Sequence, residues 1–101
     1  MTFNDNQMLI LSFEALNATI VEFRDARDQL EDTFKTIGED NLVRRNVDFY
    51  IGYVIGGIRA NFICLARQQG FSTNDIEAAL PYVSNYIVSN IAMIMEAITS
   101  N

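Results

Sequence analysis

Along the first third of the chain, apolar residues return at Leu9, Phe13, Leu16, Ile20, Phe23, Leu30, Phe34 and Ile37, with polar residues between them. Recurrence every three or four positions predicts an amphipathic helix from about Asp5 to Ile37. Its start is written locally. Asn4 can cap it, Gln7 can bond back to Asn4, and Phe3 can pack on Met8, which is a capping box with a hydrophobic staple. Arg27 occupies the missing position in the apolar series, and Gly38 is placed to end the helix.

A second helix is predicted over residues 41–69, closed by Gly70. One face carries Val47, Ile51, Val54, Ile58, Phe62 and Leu65, and a roughly opposite one carries Phe49, Gly52, Gly56, Ile63 and Ala66. A helix apolar on two sides suits a central position. Gly52, Gly56 and Ala60 are four apart and so share a face. Each glycine in a helix interior costs about 0.5–1 kcal/mol relative to alanine. Two on one stripe, with Gly57 beside them, therefore imply close approach of another helix.

The third segment, 73–99, opens with the same device: Ser72 as N-cap, Asp75 three residues on, and Phe71 set against Ile76. Pro81 lacks a backbone donor and crowds the preceding turn, which predicts a kink or a split at that residue. Val83, Ile87, Ile91, Ile94 and Ile98 line one side, widened by Tyr82, Tyr86, Val88 and Met95. Asn85 and Ser89, four apart, are positioned to bond across an interface or to face water.

No strand alternation persists and no linker divides the chain. The expected fold is all-α: one domain over residues 1–101, with three long helices in an up-down bundle. The first two would be rods of about 50 and 43 Å. With apolar surface on two faces of the second, the bundle is expected to be completed by homo-oligomerisation, as a dimer or higher. Gly52, Gly56, Ala60, Ile63, Tyr82 and Tyr86 are the expected interface residues.

Charge sharpens this picture. The 101 residues carry thirteen acidic and seven basic side chains, a net charge of −6. Residues 1–41 hold nine of the acids and three of the bases, so the acidity sits on the first helix. An acidic chain does not suit direct binding to nucleic acid, which needs basic groups to displace counterions. Glu22, Asp25, Asp28 and Asp32 are instead candidates for contact with a basic protein surface. Arg24, Arg27 and Lys35 interleave with them, the pattern of a solvated helix face rather than a metal site.

Candidate chemistry is sparse. The chain has no histidine, which excludes histidine triads, Cys-His dyads and histidine-ligated zinc. No enzyme activity and no cofactor or metal is expected. The single Cys64 rules out an internal disulfide and reads as a buried, inert thiol. The opening MTFNDNQMLIL has no basic n-region, so no secretory leader is expected there, and the cytoplasm is the expected location. Ala78 to Met95 is uncharged over a span's length, but Pro81, Ser84, Asn85, Ser89 and Asn90 suit lipid poorly. No membrane role is expected.

The expected function is therefore a non-catalytic helical interaction module of adaptor or inhibitor type. It would act as a homo-oligomer and present its acidic first helix to a partner. The alternative is a binder of a small anionic ligand in an inter-helix pocket near Arg59, with Arg45 and Tyr53 contributing.

Overall fold

The computed structural model describes residues 3–37 and 42–99, with side chains described over 3–32 and 47–99. Four α-helices account for nearly all of it: α1 (Asp5–Ile37), α2 (Leu42–Gln68), α3 (Thr73–Ser89) and α4 (Ile91–Thr99). No strand occurs among the described residues. The Cα trace extends 50 × 23 × 18 Å, its long dimension matching the length of α1.

Both predicted helix starts form. The Asn4 amide donates to Gln7 Oε1 at 3.0 Å, and the Gln7 amide donates to Asn4 Oδ1 at 2.8 Å. Ser72 Oγ accepts from the Asp75 amide at 3.2 Å and donates to the Asp75 carboxylate at 2.9 Å. The residues preceding these caps, Phe3 and Phe71, stack on each other with centroids 3.7 Å apart. The chain's two capped starts thus meet at one end of the bundle.

Between them, Gly70 closes α2 at a φ of +90°, the left-handed conformation that glycine adopts without a Cβ penalty. Its amide donates to the Arg67 carbonyl, and the Phe71 amide reaches back to Ala66. This paired arrangement satisfies the last carbonyls of α2 and delivers Phe71 into the core. The predicted cap at Gly38 and the start of α2 before Leu42 lie outside the described residues.

α1 and α2 run antiparallel. Phe3 approaches Phe62, Asn61 bonds Thr19, and Phe23 packs edge-on to Tyr50, so numbers rise along one helix as they fall along the other. α3 and α4 close over the pair, both against α2. The core joins Leu11, Leu16 and Phe23 to Val54, Ile58 and Phe62, with Val83, Ile87, Ile94 and Ile98 from the other two helices.

Three expectations need correction. Leu9 and Phe13 do not face the core: they are 48% and 54% exposed, and α1 buries Leu11, Ser12, Ala15 and Thr19 instead. The run Leu9-Ile10-Leu11 is apolar on every side and leaves the rotation of the helix open. Small residues decide it, because they let α2 come close. Ala66, assigned to the second face of α2, lies fully in the core.

The break in the third segment falls at Asn90, not at Pro81. Pro81 passes through the interior of α3 on its exposed side. The Glu77 carbonyl that loses its helical donor there belongs to an exposed residue and can be met by water. At Asn90, by contrast, the side chain donates to the Tyr86 carbonyl at 2.8 Å, and one residue earlier Ser89 Oγ donates to the Asn85 carbonyl at 2.9 Å. Side chains competing for backbone carbonyls end α3. α4 then leaves at a bend of 61°.

Candidate functional site

α2 is held on one side by Tyr50, Val54, Ile58, Phe62 and Ala66, all buried. At 3.6 residues per turn, the opposite side comprises Phe49, Gly52, Tyr53, Gly56, Arg59, Ala60, Ile63, Cys64 and Arg67. All are exposed except the half-buried Ile63. Two aromatic rings stand at the start of this face, Phe49 and Tyr53, 45% and 39% exposed, with centroids 6.3 Å apart. Exposed aromatic side chains beside small residues make a surface suited to protein contact.

The glycines divide into two kinds. A Cβ on Gly52 or Gly56 would meet nothing within 4 Å, whereas one on Gly57 would lie 2.7 Å from Thr19 Cγ2. Gly57 is therefore the residue that permits close approach of α1, and the Gly52, Gly56 and Ala60 stripe remains open on the surface.

A polar clamp sits beside the Gly57 contact. Thr19 is buried; its hydroxyl donates to the Ala15 carbonyl at 2.7 Å and accepts from Asn61 Nδ2 at 2.8 Å. The same Asn61 amide reaches Glu22 Oε1 at 3.5 Å. These residues register α1 against α2. Asn61, the one amide between Gly52 and Leu65, was the signal for this clamp in the sequence, visible only as a polar interruption.

Of the six expected interface residues, Gly52, Gly56, Ala60 and Ile63 share one face. Tyr82 and Tyr86 lie a turn apart on α3, both partly buried, with Tyr86 packed against the core. Burial, and then the neighbouring Tyr82, raise the Tyr86 pKa above the ordinary tyrosine value. The four acids expected to meet a partner, Glu22, Asp25, Asp28 and Asp32, are all exposed on α1. Among the described residues no three acidic or cysteine side chains converge as a metal site would require.

Arg59 and Tyr53 are exposed on α2 about a third of a turn apart in azimuth, and the side chain of Arg45 lies outside the described residues. A cavity of about 200 Å³ opens elsewhere, lined by Phe3, Met8, Asp75, Ala78 and Ala79, and includes neither Arg59 nor Tyr53. Cys64 is exposed rather than buried, with Gln68 Nε2 at 3.6 Å from its sulfur. It stands two residues beyond Phe62, hence on the side of α2 away from the core.

The stretch Val47–Gln68 is long and apolar enough to cross a membrane, a test that the core helix of a soluble protein also meets. No protein-family model, curated protein or solved structure matches the chain.

Proposed function

We propose that the chain is a non-catalytic helical interaction module that works as a homo-oligomer, with the acidic face of α1 offered to a basic protein partner. The open glycine face of α2 carries this reading. Gly52 and Gly56 weaken the helix, and among the described residues no neighbouring atom uses the space they leave. A second helix seated on Phe49, Tyr53, Gly56 and Ala60 would use that space and cover exposed aromatic surface.

The acids Glu22, Asp25, Asp28 and Asp32 supply the partner side of the proposal. They are exposed and extend down the half of α1 that follows Val21, while the preceding exposed residues include the apolar Leu9, Ile10 and Phe13. Such a surface steers a basic protein electrostatically. An adaptor or inhibitor acting in the cytoplasm fits this surface chemistry.

Gly56→Leu tests the self-association half. The wild-type chain should run as a dimer or larger species by light scattering, and Gly56→Leu as a monomer of unchanged helicity, since the site has room within the chain. Normal assembly of that variant would remove the glycine face from the interface. The partner half is tested by Asp25→Lys/Asp28→Lys, which should abolish capture of a basic partner while leaving the thermal transition in place.

A further inference from the structure

Charge and side-chain size along the exposed face of α2 have a common centre. Gly52 and Gly56 lie symmetrically about Val54. Asp48 and Arg59 bracket almost the same point, six residues before it and five after. They are eleven residues apart, close to three whole turns, so both project from the same edge of the face. Both are exposed, and no ion pair joins either to another described residue. Phe49 and Ala60, one large and one small, bracket this centre too.

The geometry points to a second copy of this chain as the occupant of this face, docked with its α2 antiparallel and the two-fold axis level with Val54. This rests on the homo-oligomer reading and specifies its contact. A two-fold axis perpendicular to both helices keeps each edge on its own side. Gly52 of one chain then faces Gly56 of the other, twice, and the backbones can approach. Phe49 falls over the partner's Ala60, and the two Tyr53 rings meet beside the axis. Asp48 of each chain lies opposite the partner's Arg59. Parallel docking, about an axis along the helices, would instead carry the edge of Asp48 and Arg59 to the opposite side of the partner, leaving both charges without a mate. It would also set Phe49 against Phe49, so charge and volume both select the antiparallel arrangement.

Charge exchange tests this without altering the glycines. Asp48→Arg alone and Arg59→Asp alone should each weaken self-association at least about tenfold at low salt, because two ion pairs become two repulsions. Mixing the two single variants should restore assembly as a heterodimer, since every contact across that interface is again of opposite sign. The double variant Asp48→Arg/Arg59→Asp should assemble with itself. Asp48→Asn and Arg59→Gln repeat the experiment without new charge if a reversal unfolds the chain.

Sedimentation equilibrium of each species gives the answer. A wild-type dimer indifferent to both reversals, or single variants not rescued by mixing, would overturn the antiparallel contact and leave the homo-oligomer reading standing. A wild-type monomer would overturn both. If that monomer floats with phosphatidylcholine vesicles, the face belongs to lipid.

Discussion

Gly57 packs directly on Thr19: a Cβ on Gly57 would come within 2.7 Å of Thr19 Cγ2. Threonine is branched at Cβ and buried here, so it has little freedom to turn aside. Gly57→Ala should therefore destabilise the fold by about 1–3 kcal/mol despite alanine's better helix propensity. Gly52→Ala, which meets open space, should leave chemical stability unchanged or raise it by up to ~1 kcal/mol. Urea denaturation of the two variants side by side checks the contrast, and equal effects would contradict it.

Thr19→Val keeps the shape at this crossing but removes the hydroxyl between Asn61 and Ala15. The Asn61 amide would lose its 2.8 Å acceptor, and the expected cost is about 1 kcal/mol. Asn61→Ala should remove much of that difference if the two are measured as a double-mutant cycle.

Ser12 is buried in α1, and its Oγ has no hydrogen-bond partner. Replacing an orphaned hydroxyl with a methyl group relieves its desolvation cost. Ser12→Ala should accordingly stabilise the protein by about 1 kcal/mol, read as a raised midpoint with an unchanged denaturant slope.

Phe71 joins the end of α2, the start of α3 and the ring of Phe3. Phe71→Ala should cost about 3–5 kcal/mol, as expected for an emptied aromatic site in a core. Phe3 is only partly buried and should cost less when removed. A reversed order in thermal melts would contradict the account of the meeting caps.

Alkaline pH should weaken the fold through two phenols. Burial raises the pKa of Tyr50, with Glu31 raising it further and Arg27 opposing, and burial together with Tyr82 raises that of Tyr86. The fold thus favours the neutral phenol. The resulting stability is fully present below the unfolded tyrosine value near 10 and is lost as pH climbs through the raised folded values. Melting temperature should fall across that window, and Tyr50→Phe/Tyr86→Phe should flatten the fall.

Local chemistry determined the helices and their starts. Asn4 with Gln7 and Ser72 with Asp75 act within four residues of one another, and Gly70 acts on the turn that contains it, so their roles could be read directly. The all-helical class follows from the same short-range periodicity. Tertiary structure alone decided which way α1 turns, because Leu9, Ile10 and Leu11 offer apolar surface all round and only the approach of α2 selects Leu11. It also decided which glycine touches its neighbour: Gly56 and Gly57 are adjacent in the chain but point about 100° apart, so only Gly57 meets Thr19. Likewise it left α3 unbroken at Pro81, whose exposed side lets water meet the Glu77 carbonyl, so that the break falls at Asn90 instead.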